Sequence, residues 1–520
     1  MGLLRRIIPL YAKRKCKHVQ RILSQPIEIM VATLKEILKH QEKTVIGRKY
    51  DFAGISSPED YASKVPLSTF DTMKPYLEAT YEDPSGGILT KEPVFWYLCT
   101  SGSTGKPKHL PVTEALAEVY TKGSMQILLP YLNVHPDNPK VFDGKFIVFA
   151  APAQTDEING VPLGYATGAF SRRAIGILKK LMKPGEDVFN ISDMESKMQV
   201  YAKVAATENV TAIQGITTLS LALIRRMQNE YGSWLLDEFK GTKHEVRLRK
   251  AMQDDGKLDM AKLWPNLRLF FCGGIDTDPY RSWINKTIPQ ATIWEAYGGT
   301  EGVYGGQTMI EPGVQLFPNT NYLEFIPENE VDKDEPTVIP LADVKKGYKY
   351  EMIITNIGGY YRYRLGDVMT FTSTNPYTVK GISRKGRIIS LSGEKVSESD
   401  VTHSIAVACH KTGAEVMDFS VIAEIDEEKG IPHYTVAAMF KDDNFSPIEF
   451  VHAYEDALKE YNIAYKVVKE MGGLGPTSLV RMKKSLFEDI VQRSHIQAKP
   501  LPLTLDTMIL KRCQAVNEGA

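Results

Sequence analysis

Cysteine is sparse and unpatterned in this chain: Cys16, Cys99, Cys272, Cys409 and Cys513 stand far apart, with no Cys-x-x-Cys spacing. Scattered thiols of odd number give neither a disulfide framework nor a thiolate zinc site, and they predict a reducing compartment. An excess of one charge is also missing. Lysine plus arginine and aspartate plus glutamate both number 63, so no basic surplus exists to neutralise nucleic-acid phosphates, and no nucleic-acid partner is expected. No apolar run reaches the length of a membrane span, and the start lacks the continuous apolar region and small-residue cleavage site of a signal peptide. Internal repeats and low-complexity tracts are absent. The expectation is a soluble cytoplasmic protein, monomeric, that acts on small molecules.

What is present exceeds one hydrophobic core: 520 residues predict at least two domains, the larger of about 400 residues. Residues 3–24 carry Arg5, Arg6, Lys13, Arg14, Lys15, Lys17 and Arg21 without an acidic residue. This is a basic amphipathic helix packed on a domain edge or, alternatively, a peripheral contact with an anionic membrane surface, with Pro9 expected to interrupt it. A better patterned helix covers 27–41. Apolar runs at 145–150, 196–207, 211–216, 218–228, 267–271 and 292–296 alternate between strand and helix character, which predicts a parallel-rich α/β layer. Short strands at 322–326, 350–355 and 368–371 suggest a smaller β subdomain. After a glycine-, serine- and base-rich linker at 381–393, the pattern helix (398–411), two strands (417–425, 433–440) and helix (447–461) predicts a small α+β domain. The organisation expected is thus 1–380, a hinge at 381–395, and a mobile domain at 396–520.

Three stretches carry chemistry. In Thr100-Ser-Gly-Ser-Thr-Gly105, hydroxyl residues alternate with glycines, so the backbone can wrap an anion while donors point inward. Gly102 and Gly105 are too close together, and Pro107 follows Lys106, for a Walker loop. The order strand, loop, helix is expected here, and the alternative is a surface linker. The second stretch, Glu295-Ala-Tyr-Gly-Gly-Thr-Glu-Gly302, sits where a buried strand ends, the place for a ligand in open α/β sheets. Tyr297 offers a flat face for a purine, Gly298 and Gly299 allow close approach, Thr300 can donate to phosphate, and Glu301 can hold Mg²⁺. Gly274, after the apolar run 267–271, could flank the same base. In the third, Tyr360-Tyr-Arg-Tyr-Arg-Leu-Gly-Asp367, Asp367 can accept from both ribose hydroxyls, or else cap its own turn. His109 beside the first loop is either a base or a backbone-bonded loop residue.

Together these stretches resemble the adenylate-forming superfamily of acyl-CoA synthetases and luciferases, most closely its auxin-responsive, Gretchen-Hagen-type branch of acyl acid amido synthetases. Thr100–Lys108 is similar to the phosphate loop, 297–301 to the adenine and metal motif, and 361–367 to the ribose motif. Val65-Pro-Leu, Leu323-Glu-Phe-Ile-Pro327, Lys346-Gly-Tyr-Lys-Tyr-Glu351 and Leu391-Ser-Gly-Glu-Lys395 are similar to phrases of that branch. The resemblance implies a large adenylate-forming α/β domain with a small mobile α+β domain, ATP and Mg²⁺ as cofactors, and a carboxylic acid and an amine or amino acid as substrates. It also implies Ser101, Ser103, Thr104 and Lys108 at phosphates, Arg384 (or Arg387) at the ribose, and Thr300, Glu301 and Lys499 in adenylation. Lys483, Lys484 and Lys511 are alternatives to Lys499, because no arginine follows it as is common in the family. Gly299-Thr300-Glu301, in place of paired serines before the glutamate, points away from a plant-hormone substrate. Coenzyme A as acceptor is the alternative function, and a non-catalytic nucleotide-binding protein a third.

Overall fold

The computed structural model describes residues 2–100, 108–174, 176–274, 277–384, 388–389, 391–392, 394, 396–425, 432–470, 473–486, 501–513 and 515–517. Among them, the strands 145–149, 210–215, 269–273 and 292–299 lie side by side and parallel. Each alternates two buried faces. Ile147, Phe149, Ile213, Phe270 and Ile293 point to a core shared with helices Met194–Thr207 and Thr217–Asn229, whereas Phe146, Val148, Ala212, Leu269 and Trp294 point to a second core under helix Glu114–Val134. Strands buried on both sides read as unbroken apolar runs, which is why the sequence announces them. Trp294 anchors the second core. Its indole N–H donates to the Ile127 carbonyl at 2.9 Å, and truncation to alanine there would cost about 3–5 kcal/mol.

Beyond Gly302 the antiparallel strands 302–306, 314–316, 322–327, 349–355, 363–374 and 377–384 extend the same sheet, and the short edge strands 339–340 and 182–183 bring it to twelve strands among the described residues. The β subdomain is therefore the antiparallel wing of one sheet. Its covering helix is Pro26–Gln41, whose Met30, Leu34, Ile37 and Leu38 fall on one stripe against Leu323, Phe325, Met352 and Ile354. The strand 292–299 is the seam: its neighbour on one side runs parallel and on the other antiparallel.

A separate sheet of four strands begins with Trp96–Cys99, which pairs antiparallel with His109–Val112. The helix expected straight after the first loop starts only at Glu114, behind that second strand. The N-terminal helix differs too. It runs unbroken from Gly2 to Ser24 through Pro9, since a proline removes one backbone hydrogen bond and the rest of the helix is held by packing. Ala12, Cys16, Val19 and Ile22 are buried on its packed stripe, while Lys13, Arg14, Lys15, Lys17 and Arg21 are exposed.

The C-terminal part is a five-stranded sheet built on the hairpin Val416–Ile425 and Pro432–Phe440, with helices Glu398–Thr412 and Pro447–Tyr461. The strand Tyr377–Arg384 carries Gly381–Arg384 into the large sheet, so those residues belong to it and not to a free linker. Tyr280 and Trp283 of the large unit share a core with Met417 and Phe419 of the C-terminal sheet. Beside it, Lys286 pairs with Glu415 at 2.5 Å. No described helix is long and apolar enough to cross a membrane, and all five cysteines are buried.

Candidate active site

The end of the seam strand brings Tyr297 next to Asp367. Tyr297 is buried, its ring meeting Tyr304 edge-on at 5.0 Å, and its hydroxyl donates to Asp367 Oδ2 at 2.8 Å. Its face is thus less open than the sequence suggests. Asp367 lies inside the strand Tyr363–Thr374, not in a turn, and the antiparallel register sets Arg384 directly across from it. Against the other neighbour, Lys349–Thr355, the register slips between Arg364 and Val368, a bulge that contains Gly366 at φ 76°, a conformation that costs glycine little. Arg387 lies outside the described residues. On the parallel side, Gly273 pairs with Ala296, which puts the exposed Gly274 level with Tyr297.

Past Tyr297 the chain turns sharply between Gly299 and Gly302. Gly298 is exposed and Gly299 and Thr300 are half-buried, while Glu301 is only 7% exposed. A Cβ on Gly299 would stand 2.8 Å from Glu301 Oε2 and 3.1 Å from the Tyr304 hydroxyl, so a side chain at 299 would fill the space those oxygens share. Three side chains that the sequence reading missed pin this turn. Tyr120 donates to the Gly299 carbonyl at 2.7 Å, Asn356 to the Glu301 carbonyl at 2.9 Å, and Asn321 to the Val303 carbonyl at 2.7 Å. Burial, and then the Glu301 charge, pushes the phenols of Tyr120, Tyr304 and Tyr360 well above their usual range. They remain protonated donors around one carboxylate.

The arginines of the third stretch have other tasks. Arg362 makes two bonds of 3.0 Å to the buried Glu324 and reaches the Ala62 and Val65 carbonyls. Arg364 pairs with the buried Glu351. Both cations are consumed inside the antiparallel wing.

At the first loop, Cys99 pairs with His109 and the Thr100 amide donates to the Lys108 carbonyl at 3.0 Å, so the hairpin closes just below the glycine-serine run. Ser101, Gly102, Ser103, Thr104 and Gly105 lie outside the described residues. Lys108 Nζ stands 4.6 Å from the Phe70 ring centroid. His109 is half-buried, and burial lowers its pKa, which keeps it neutral at physiological pH. Lys499 also lies outside the described residues. Among those described, no group of three or more His, Cys, Asp and Glu side chains assembles as a metal cage.

Over 478 residues the chain is 24% identical to the indole-3-acetic acid-amido synthetase GH3.2 of Arabidopsis thaliana, covering 81% of this chain and 85% of that protein. It is 26% identical to the jasmonoyl–L-amino acid synthetase JAR4 of Nicotiana attenuata, covering 79% and 78%. Among solved structures, the GH3.15 acyl acid amido synthetase superposes with a TM-score of 0.75 at 18% identity, over 96% of both chains. The GH3 family profiles match in chain order: the N-terminal domain at residues 15–235, the central domain at 314–382 and the C-terminal domain at 399–501. Together these matches span well over half of the sequence, in a single fold with the expected order of parts, and the chain belongs to the GH3 family.

Proposed function

We propose that this chain is an ATP-dependent acyl acid amido synthetase, which activates a carboxylic acid as its acyl-adenylate and passes the acyl group to an amino acid or other small amine. One observation carries the reading: Tyr297, Asp367 and Arg384 converge at the seam with Glu301 on the adjoining turn, in a chain whose relatives are named for amide-forming reactions. In the first half-reaction a carboxylate oxygen attacks the α-phosphorus of ATP, the bond to the bridging oxygen breaks, and pyrophosphate leaves. In the second, a neutral amine attacks the acyl carbonyl, the bond to the AMP oxygen breaks, and the nitrogen loses a proton.

This chain's residues bind and orient. Asp367 accepts from the ribose with Arg384 across from it, Gly298 and Gly299 admit the nucleotide close to the backbone, and Thr100, Thr300 and the loop 101–105 supply donors for phosphate. Glu301 fits a Mg²⁺ held mainly by substrate phosphates, because that ion takes few protein carboxylates and Glu301 is a single buried one beside phenol hydroxyls. When bound, the ion would draw off charge that builds on phosphate oxygens. Lys499 is assigned to the same charge. We place a pivot between Arg384 and residue 396, so that the domain 396–520 delivers Lys499 for adenylation and then swings to open the adenylate to the amine.

The acceptor follows from the supply of cations. Coenzyme A carries a 3′-phosphorylated ADP that needs its own cationic contacts. Near the pivot the sequence offers Arg384, Lys385, Arg387 and Lys395, of which the first and third already serve as ribose candidates. An amino acid carboxylate needs less. With ATP, a panel of carboxylic acids, and amino acids and coenzyme A at equal concentration, mass spectrometry is expected to find amides. A dominant acyl-CoA would overturn the acceptor assignment.

A further inference from the structure

Two buried hydroxyls beside Glu301 have no evident structural task. Tyr304 and Tyr360 are each 1% exposed, and among the described residues neither hydroxyl has a hydrogen-bond partner. An unpaired buried hydroxyl lowers stability, so a fold gains nothing by keeping one unless it meets a ligand. Tyr120, the third phenol here, differs in that its hydroxyl is spent on the Gly299 carbonyl. The Tyr304 oxygen and Glu301 Oε2 face the same small space, the one left open by the missing Cβ of Gly299. Tyr360 is tied to that turn through Asn356, whose backbone amide donates to the Tyr360 carbonyl at 2.8 Å while its side chain holds the Glu301 carbonyl. The Tyr304 ring also packs on Tyr297, which bonds Asp367. Tyr304 thus forms a wall common to the Glu301 end and the Asp367 end.

The geometry points to Tyr304 as a positioning residue for the cation end of the site, its hydroxyl placed where it would bridge the Glu301 carboxylate and a water of an ion held there. A phenol suits that place because it donates to a carboxylate and accepts from metal-bound water at once, and magnesium keeps several of its waters. The inference rests on the adenylation reading above and adds a residue that no motif marks.

The test is Mn²⁺ binding to the full chain in the presence of α,β-methylene-ATP, read by electron paramagnetic resonance, beside thermal melting without ligands. Tyr304→Phe is expected to weaken Mn²⁺ roughly tenfold or more, the scale of a hydrogen bond to a charged group. Its melting temperature should stay level or rise, and metal-free binding of the analogue should stay within about twofold of the parent, since the ring and its contact with Tyr297 remain. Tyr360→Phe should move Mn²⁺ affinity in the same direction. Gly299→Ala, which removes neither oxygen but fills the space between them, should weaken the ion as well. Unchanged Mn²⁺ affinity in Tyr304→Phe, with the parent binding ion and analogue normally, overturns the inference and leaves the adenylation reading intact. A lowered melting temperature together with lost analogue binding makes the tyrosine structural and also overturns it. A parent that binds no analogue and forms no acyl-adenylate takes both down.

Discussion

Asp367 accepts the 2.8 Å hydrogen bond of the Tyr297 hydroxyl, which a nucleotide would have to share or displace. Its own role is separable from that bond. Asp367→Ala is expected to weaken ATP, and replacing ATP by 2′-deoxy-ATP should cost the variant less than it costs the parent, because removing one partner makes loss of the other cheap. Equal losses in a binding titration would sink the ribose assignment. A second residue tests burial and not function. Lys197 is 1% exposed and, among the described residues, donates only to the Phe189 carbonyl at 3.0 Å, and burial lowers its pKa to about 8. The unfolded chain then binds the proton more tightly than the folded one, so this group's contribution to stability climbs as pH rises from about 8 towards the ordinary lysine value of about 10.4, and protonation penalises the fold below that window. Lys197→Met should therefore raise the urea midpoint at pH 7 and flatten that climb relative to the parent. A variant less stable at pH 7 would show the ammonium to be well satisfied. At this scale the sequence was partly legible. Tyr297 and Asp367 stood in stretches that the sequence singles out, and Arg384 was implied by the resemblance beside Arg387, whereas Tyr120 and Asn356 reach the same turn from 179 and 55 residues away, and nothing local marks a lone tyrosine or asparagine for that task.

Among elements, the legible ones were those with a strong period of their own. The helix at 447–461 appears as Pro447–Tyr461 and that at 398–411 as Glu398–Thr412, because a capping serine precedes each and one stripe of each is apolar. The short strands Ser478–Met482, Leu503–Thr504 and Ala515–Asn517 escaped; their pairing partners lie far away in sequence, and short strands carry little pattern. The same limit hid the continuity of the large sheet, since whether a hairpin adds to a distant edge is not written in either strand. One contact between elements invites a test. Lys349, on the strand Lys349–Thr355, meets Asp400 at 2.6 Å at the start of helix Glu398–Thr412 and sits 5.1 Å from the Tyr461 ring centroid at the end of helix Pro447–Tyr461. Asp400 is 1% exposed, so Lys349→Met leaves a buried carboxylate without its cation, a loss of about 3–5 kcal/mol. The expected result is faster limited proteolysis between Arg384 and residue 396, together with an earlier denaturant transition. Proteolysis at the parental rate would mean that the apolar contact around Tyr280 and Phe419 holds the helices unaided.

For the whole molecule, the two half-reactions should be separable. Lys499→Ala is expected to abolish acyl-adenylate formation, measured as pyrophosphate release, yet largely spare amide formation from a supplied acyl-adenylate, because the cation is needed only while charge develops on phosphate. Equal failure of both steps would make the lysine structural, and intact adenylation would shift the role to Lys483, Lys484 or Lys511. Length and the alternating apolar runs had pointed to an α/β protein of at least two domains, and the structure agrees at that level. The seam strand adds something about how the molecule comes to exist. On its antiparallel side the first two strands, 302–306 and 314–316, are near in sequence, but 314–316 then pairs with the distant 377–384, while its parallel side requires strands brought together across helical crossovers, and distant contacts form late because closing long loops costs entropy first. Tyr297 and Gly299 belong to the strand that both sides must grip. A site with that address cannot be assembled by either half alone, and a chain that binds nucleotide has thereby completed the slowest part of its own folding.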